Sequence, residues 1–360
     1  MLDVEIKSAQ GLSERERRAW DELQAADRAY ESPYFSRAFF EAVARHAQST
    51  RVAVMRANGE VAGFFPFHHG PLGLARPLAG PVSDCHGPLL RKGAGIDPAA
   101  LVKAAGFNLL SMRHADGATR LFAGALSKRH AMHVIDLGDG FKAYEEGRRA
   151  LAKSAFRAIR VRTEKAEKQY GRVSHVFCDA RPETLRRLYA WKSEQYHATG
   201  QIDVLSVGWV RRLVEDLFES KGGAVSAQLS SLWFGDRLAA AHLGLRTRTA
   251  MHYWFPGYDP ELSDLSPGNI LLHRMAEAAA GEKVRAIHLG PGDYRYKTEF
   301  ANASLPLAEG VICGTGVIGS LAKAGNAMIE TLGRKLPARF AHLPSGLARR
   351  IDRQLAFRSL

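Results

Sequence analysis

The stretch from 249 to 301 constrains the fold most, because it orders a strand, a loop, a helix and a second strand. Residues 249–255, TAMHYWF, are aromatic and β-preferring, and turn formers follow them. Pro267 suits the first turn of a helix predicted to end at Gly281, and VRAIHL at 284–289 predicts the next strand. Strand–helix–strand crossovers are right-handed, so the two strands are predicted to be parallel neighbours. Their carboxyl ends then open at one edge of the sheet, where ligands tend to bind.

Three segments of this region resemble a known family. They read YWFPGYDP at 253–260, SPGNILL at 266–272 and HLGPGDYRYKTEFA at 288–301. Together they resemble the second lobe of the GNAT-like acetyltransferases associated with bacterial cellulose and exopolysaccharide biosynthesis, which are related to the Fem-type peptidoglycan aminoacyltransferases. The resemblance runs from about Trp191 to Gly310. It implies an acyl donor, which is acetyl-CoA or another acyl-CoA in one branch and an aminoacyl-tRNA in the other.

The order of predicted elements extends this fold to the whole chain. Residues 173–313 give a strand, two helices, three antiparallel strands, a helix, a strand, a short helix and a strand, and residues 3–137 give almost the same order. A chain of 360 residues is also long enough for two lobes. We therefore predict an α/β fold, with mixed α+β sheets, of two tandem GNAT-like lobes. The predicted boundaries are 1–140 for the N-terminal lobe, 141–172 for a basic helical arm, 173–315 for the C-terminal acyltransferase lobe and 316–360 for a basic amphipathic tail.

Local signals place several elements of the N-terminal lobe. Ser13 and Glu16 have the spacing of a capping box, which predicts a helix start. The pair at 58–59, Asn-Gly, predicts a tight hairpin between two apolar strands. A helix is predicted over 97–112, because Asp-Pro at its start is typical of a first turn.

Composition narrows the partners. Lys and Arg total 50 against 37 Asp and Glu, a net charge of +13, which favours an anionic partner such as CoA phosphates, tRNA or acidic lipid. No apolar run reaches the ~18 residues that a membrane helix needs. The three cysteines have no metal-ligand spacing, so no metal site is predicted. These features favour a cytoplasmic protein, and the tail suits peripheral contact with the inner membrane or with partner machinery.

Acyl transfer to an amine or hydroxyl needs a base, a donor to the carbonyl oxyanion and an acid for the leaving group. His242 lies on the predicted strand 238–246 and is our candidate base. The resemblance supports this choice, since AAAHLGL is similar to the family's third strand. His252, on the next strand, is an alternative base or a substrate contact. For either histidine, a structural role within the sheet is the competing interpretation.

The segment after the second parallel strand supplies further candidates. Asp293, Tyr296 and Lys297 are predicted to face the cleft mouth, and the resemblance implies substrate contact there. Tyr296 can protonate a leaving thiolate, and Lys297 can neutralise a phosphate or an oxyanion. Asp259 can orient an acceptor, although Asp before Pro also begins turns.

Donor binding is predicted at the start of the crossover helix. Ser266, Gly268 and Asn269 lie where backbone N–H groups point out of a helix, a natural position for an anion. Trp254 is assigned to the donor channel and Tyr258 to the acceptor. The SPGN sequence replaces the Gly-rich loop of GNAT enzymes, and this difference keeps an aminoacyl-tRNA donor open.

Three functions therefore compete. The first is an acyltransferase, with N-acetyl transfer favoured, that moves an acyl group from CoA to an amine or hydroxyl of a carbohydrate- or envelope-related acceptor. The second is a Fem-type transferase that uses aminoacyl-tRNA, with the basic arm 141–172 as the tRNA contact. The third is a non-catalytic scaffold of an exopolysaccharide machine.

Overall fold

A computed structural model describes residues 2–116, 120–122, 124–220 and 222–335. The chain divides into two compact units. The first contains residues 1–30, 34–130 and 306–360, and the second contains residues 31–33 and 131–305. No helix of the described residues is long and apolar enough to cross a membrane.

The described part of the chain contains strands and helices along its whole length. The strands are β1 Leu2–Lys7, β2 Thr50–Ala57, β3 Glu60–His69, β4 Leu74–Pro77, β5 Leu89–Leu90, β6 Leu109–Asp116, β7 Lys128–Asp136, β8 Val173–Val176, β9 Ser226–Phe234, β10 Arg237–Arg246, β11 Ala250–Tyr258, β12 Ala286–Pro291 and β13 Ala303–Cys313. The helices are α1 Glu14–Ala26, α2 Arg37–His46, α3 Pro98–Ala104, α4 Gly140–Leu151, α5 Lys153–Tyr170, α6 Pro182–Ala198, α7 Gly208–Glu219, α8 Pro267–Gly281, α9 Arg295–Phe300 and α10 Val317–Lys335.

In the first unit the strand order is β1-β2-β3-β4-β6-β13, and β5 pairs with β3. The capping box at Ser13 and Glu16 is present at the start of α1. The hairpin between β2 and β3 is also confirmed, since Asn58 and Gly59 both have positive φ, as a tight two-residue turn requires. The helix predicted over 97–112 is too long. It ends at Ala104, and β6 begins at Leu109.

In the second unit the strand order is β7-β12-β11-β10-β9-β8. Strands β9, β10 and β11 form an antiparallel meander, and β11 pairs with β12 in parallel. The predicted crossover is therefore confirmed, with α8 as its helix. The mixed α/β fold class is confirmed with it.

The predicted arm 141–172 forms two helices, α4 and α5, with a break between them at Ala152. Most residues of this segment are exposed, and one side of each helix packs into the core of the second unit. Tyr144, Phe156 and Ile159 belong to the same buried cluster as residues of α8. Arg148 is also buried, and it donates hydrogen bonds to the carbonyl oxygens of Thr298 and Glu299. Helices α4 and α5 are thus integral to this unit, and their basic residues occupy the remaining, exposed side.

The predicted tail begins within the described part of the chain. Helix α10 covers Val317–Lys335, and residues 336–360 lie outside the described residues. The predicted docking role of the tail rests on residues of both parts, so it stays a prediction.

Candidate active site in the second unit

The parallel pair β11 and β12 separates part of the way along its length. The paired residues are Ala250 with Ala286, Met251 with Ile287, and His252 with His288. Beyond His288, β12 stays paired with β7 as far as Pro291, while β11 stays paired with β10 as far as Tyr258. The carboxyl ends of two parallel strands therefore diverge, which leaves a wedge between them. We call this feature the β11–β12 wedge.

A β-bulge in β11 accompanies the divergence. Leu243 of β10 lies opposite Phe255, but Leu245 lies opposite His252, so β11 holds one extra residue between these positions. A bulge bends its strand and disrupts the regular ladder. The backbone N–H of Trp254 donates instead to Nε2 of His242, at 3.2 Å.

His242 is wholly buried at this bulge. Its ring stacks on Tyr253 with centroids 4.3 Å apart. Burial, and then the nearby His252, lower the pKa of His242 well below its usual range, so the ring is neutral. Gly244 leaves room for the ring, because a Cβ there would lie 2.4 Å from its Cε1. A neutral ring that accepts the Trp254 amide supports the bulge, and this placement argues against the predicted role of His242 as general base.

His252 and His288 face the opposite side of the sheet. Their strand neighbours Met251, Tyr253 and Ile287 belong to the core beneath α8, and side chains alternate along a strand. Both histidines are wholly buried, with ring centroids 6.4 Å apart. Among the described residues, neither ring nitrogen of His288 has a hydrogen-bond partner, and Nε2 lies 3.7 Å from Oε1 of Glu31.

The start of α8 keeps one feature of the predicted anion site. Ser266 has a left-handed backbone and makes no side-chain cap. Its carbonyl oxygen accepts the N–H groups of Asn269 and Ile270. Pro267 has no N–H, and the amide of the half-buried Gly268 makes no backbone hydrogen bond within the described residues. The Gly268 amide is thus the first-turn donor that remains for a ligand.

The three predicted residues in the segment after β12 differ in their exposure and in their partners. Asp293 is fully exposed, with its carboxylate 3.8 Å from Nε2 of His133. Lys297 is buried, and its ammonium donates to the carbonyl oxygen of Pro291 at 2.6 Å, which holds the end of β12. Tyr296 packs toward Tyr253, with centroids 6.3 Å apart. Tyr296 therefore approaches the bulge, whereas Lys297 is engaged by the backbone.

The predicted acceptor residues Asp259 and Tyr258, and the predicted donor residue Trp254, differ in how exposed they are. Asp259 is buried, accepts the Glu261 amide and is held by Arg237 at 2.7 Å, so it is a turn and ion-pair residue in this structure. Tyr258 is 47% exposed and flanks the start of α8 near Gly268. Trp254 is mostly buried and stacks on Phe255 with centroids 4.6 Å apart. Of these residues, Tyr258 is the one that is available to a ligand without rearrangement.

The sequence analysis did not single out Lys192 of α6. Its side chain is 7% exposed, and its ammonium donates to Oε1 of Gln195 at 2.8 Å. The signal was present, since Lys192 lies four residues after the buried Leu188 and thus on the apolar face of a helix. His288 was likewise read only as a strand residue. Among the described residues no group of three or more metal-ligating side chains could hold a metal ion.

Comparison with known proteins agrees with this geometry. Residues 153–298 match a model of the acetyltransferase (GNAT) domain. No curated protein matches the chain in sequence. FemX is structurally similar, with a TM-score of 0.54 and 11% identity over 85% of this chain and 96% of that one. A tandem GNAT protein from the clavulanic acid pathway has a TM-score of 0.51 and 12% identity over 88% of this chain and 100% of that one.

A third similar structure is the C-terminal domain of a putative lysylphosphatidylglycerol synthetase from Agrobacterium fabrum. Its TM-score is 0.50, with 12% identity over 88% of this chain and 96% of that one. At this level of identity the three structures speak for the fold alone, and that fold is a tandem GNAT-like one. They do not support the predicted link to cellulose or exopolysaccharide synthesis.

Proposed function

We propose that the chain is a GNAT-type acyltransferase that moves an acetyl or other acyl group from acyl-CoA to an amine. The observation that carries this proposal is the β11–β12 wedge with its bulge. Past His252 the edge of β11 no longer pairs with β12, so its backbone groups are available to the amides of an extended pantetheine arm. The thioester would then lie near the vertex of the wedge, beside Tyr253 and Trp254.

The donor's phosphates would lie at the start of α8. This helix has 15 residues, so its N-terminal N–H groups and dipole favour an anion there. Gly268 supplies the remaining backbone donor, and Asn269 and Ser266 flank it. Tyr258 borders the same position through Gly268. The donor site would therefore contain the predicted residues Ser266, Gly268 and Asn269. Ser266 would shape the backbone at the start of α8, since its side chain does not cap the helix.

Two side chains are proposed for the proton transfers. Tyr296 would protonate the departing CoA thiolate, because its ring approaches the bulge where the thioester would lie. Asp293 would receive the proton of the acceptor amine. His242 and Asp259 are engaged by Trp254 and Arg237, which leaves Asp293 as the exposed carboxylate of the predicted set. Lys297 would act indirectly, by holding the Pro291 carbonyl and the segment that carries Asp293.

Gly268 offers a direct test of donor binding. In Gly268→Asp a carboxylate enters the first turn of α8, where it favours the helix but repels donor phosphates. The isosteric Gly268→Asn is the matched control. Acetyl-CoA should bind the wild-type protein and the Asn variant in titration calorimetry, and the Asp variant should bind about ten-fold more weakly. Equal affinities of the two variants, or no binding to any of them, would overturn the proposed donor site.

A tRNA-dependent reaction of the Fem type is the second candidate. It is favoured by the exposed basic side of α5, which carries Arg157, Lys165 and Lys168, and by the structural similarity to FemX. Binding of tRNA that weakens steeply with salt, together with no binding of acetyl-CoA, would select this function. The acceptor itself, carbohydrate-related or other, is proposed from the sequence resemblance alone.

A further inference from the structure

Helix α6 crosses the meander of the second unit from β9 toward β11. Just before the helix, Asp179 accepts a hydrogen bond from the Ser231 hydroxyl of β9 at 2.6 Å. Farther along, Leu188 and Trp191 pack against Gly257 of β11, where a Cβ would lie 2.8 Å from the Leu188 side chain. Ser231 and Gly257 are aligned across the sheet through their common partner Ala241. The helix axis therefore runs across the strands in the order β9, β10, β11.

The end of α6 lies beside β11. Trp191 still packs on Gly257, and Lys192 is the next residue of the helix. An α-helix rises only about 1.5 Å per residue, so Lys192 lies close to β11. The strand that follows β11 in the sheet is β12, which has already diverged at the level of Gly257. Lys192 is therefore near the part of β11 that borders the wedge, on the face that also holds His252 and His288.

Lys192 is a buried cation that makes no ion pair among the described residues, although the carboxylate of Asp203 acts on it from a longer distance. Its contacts among the described residues are the Gln195 side chain at 2.8 Å and the ring of Tyr196, 4.8 Å from the ammonium to the ring centroid. No Asp or Glu of the described chain lies within 4 Å of its ammonium. An isolated buried charge is costly unless it is paired. Gln195 is exposed, so a ligand can reach this pair from solvent.

Two further N–H groups on this face lack partners. The indole Nε1 of Trp191 is buried and has no hydrogen-bond partner among the described residues. Both ring nitrogens of His288 also lack a hydrogen-bond partner among the described residues, and Nε2 lies 3.7 Å from Oε1 of Glu31. Buried polar groups are nearly always hydrogen-bonded, so several unsatisfied ones on one face indicate a missing ligand or water. The Lys192 ammonium, the Trp191 indole and one ring nitrogen of a neutral His288 can each donate a hydrogen bond. An anion needs such donors.

We propose that Lys192, with Gln195 beside it, binds an anionic group of the acceptor, a carboxylate or a phosphate, on the α6 side of the β11–β12 wedge. This proposal rests on the proposed acyl transfer, and it names the class of acceptor: an amine that carries a negative charge close to its nucleophile. The acyl donor enters from the α8 side, where the Gly268 amide lies. The two substrates would then meet at the vertex from opposite faces of the sheet.

The ionisation of Lys192 fits an anion site. Burial lowers its pKa to about 8, and Asp203 opposes this effect. The ammonium is still the main form at neutral pH. A bound anion favours the charged form and therefore raises this pKa, so binding should be strong below pH 8 and weaken above it. The charged group that acts on Lys192 is Asp203 from the loop after α6, and the ring of Tyr196 from its own helix lies against the ammonium. The same face of the sheet holds His252 and His288, and the Glu31 carboxylate lies 3.7 Å from His288.

The experiment compares Lys192→Met and Lys192→Arg with Arg186→Met, which removes an exposed charge from the same helix. The probes are inorganic phosphate and acetate, titrated into protein that is saturated with CoA so that the donor site is filled. Binding is followed through the NMR signal of the Lys192 side chain, which Lys192→Arg identifies by its absence, and by calorimetry. We expect one of the two anions to raise the pKa of Lys192, and its affinity to fall about ten-fold or more in Lys192→Met but not in Arg186→Met. Lys192→Arg should retain part of the binding.

The two anions distinguish a carboxylate site from a phosphate site. A Lys192 signal that neither anion shifts, or equal affinities in Lys192→Met and wild type, would overturn the proposal. Turnover provides an independent reading with matched amines, glucosamine against glucosamine 6-phosphate and alaninamide against alanine. The anionic member should have the lower KM in the wild type and lose this advantage in Lys192→Met. Failure of acetyl-CoA to bind at all would overturn the proposed function, whereas the anion titration, repeated without CoA, would still decide the role of Lys192.

Discussion

Each unit contains a parallel strand pair that separates, β4 and β6 in the first and β11 and β12 in the second. Only two residue pairs join β4 to β6, Leu74 with Leu109 and Ala75 with Leu110. Beyond them the first unit inserts its own chain. His86 forms a parallel bridge with Ala115, and its backbone exchanges hydrogen bonds with His114 and Asp116 of β6. In the second unit no described segment bridges β12 at the corresponding place.

The two units also share a buried histidine on the strand before the wedge. His68 of β3 accepts the Ala79 amide through Nε2 at 2.9 Å, as His242 of β10 accepts the Trp254 amide. Both rings are buried, and burial lowers both pKa values, that of His68 to about 3. A feature found in both units, one of which fills its wedge with its own backbone, is better explained by support of the strand than by catalysis. This difference supports our proposal that the ligand site lies in the second unit, whereas the buried histidine supports a strand in both units.

The largest expected effect is the loss of acetyl transfer in Tyr296→Phe, compared with a loss of stability alone in Tyr34→Phe. Tyr296→Phe removes the hydroxyl proposed to protonate the thiolate, so kcat for acetyl transfer should fall by about 10²–10⁴. Tyr34→Phe in the first unit removes a buried hydroxyl that donates to the Val82 carbonyl at 3.2 Å. That change should cost about 1 kcal/mol of stability without altering the rate. Thiol release and denaturant unfolding measure the two quantities. A full rate in Tyr296→Phe would remove the tyrosine from the mechanism.

The two supporting histidines provide the second comparison. His242→Ala and His68→Ala each leave a buried amide unpaired, so each should destabilise the protein by about 1–3 kcal/mol. Only His242→Ala should also weaken acetyl-CoA binding, by about ten-fold or more, because it releases the bulge beside the donor. Calorimetry on both variants tests this. Donor affinity that survives His242→Ala while kcat collapses would instead restore His242 as the general base.

Lys192→Met should stabilise the second unit at pH 7 by at most about 3 kcal/mol, although it removes a buried side chain. The pKa of Lys192 is about 8 in the folded chain, below its usual value of about 10.4, so folding disfavours its charged form. That penalty is complete below pH 8 and disappears as the pH rises to about 10.5. The advantage of the variant over wild type should shrink across this range, and Arg186→Met should show no such change. A variant less stable than wild type at pH 7 would mean that packing outweighs the charge.

At neutral pH the effect of His68 titration is the smallest of these, because His68 changes the stability of the first unit only in acid. The pKa of His68 is about 3 when folded, against about 6.5 unfolded. Above pH 6.5 the neutral ring of His68 does not reduce the free energy of unfolding. As the pH falls from 6.5 toward 3, the unfolded chain binds the proton more readily, and the free energy of unfolding falls by about 1.4 kcal/mol per pH unit. His68→Gln keeps an acceptor but does not titrate, so its stability should fall less steeply with acid than that of wild type. The exposed His197→Gln is the control, and parallel curves for wild type and His68→Gln would contradict the assigned cause.

Local patterns predicted the framework well, because their physics is local. The capping box at Ser13, the turn at 58–59 and the crossover through α8 depend on neighbouring residues and on handedness, and all are present. The error in the first unit has a tertiary cause. The helix predicted over 97–112 stops early because its second half pairs as β6 with β4 and β13, which lie far away in sequence. The segment 141–172 is mostly exposed, and only the tertiary structure decided that its buried side packs in the core with α8.

The sequence by itself determined that the chain has two GNAT-like lobes, where the crossover lies, and which segments border its carboxyl edge. Those properties follow from periodicity, turn chemistry and handedness, which act over a few residues. The tertiary structure alone decided which of the bordering side chains are available. His242, Asp259 and Lys297 are engaged by Trp254, Arg237 and Pro291. Lys192, about 60 residues earlier in the chain than His252, is buried and donates to Gln195. Burial and hydrogen-bond partners are set by contacts between distant segments, and no local pattern encodes them.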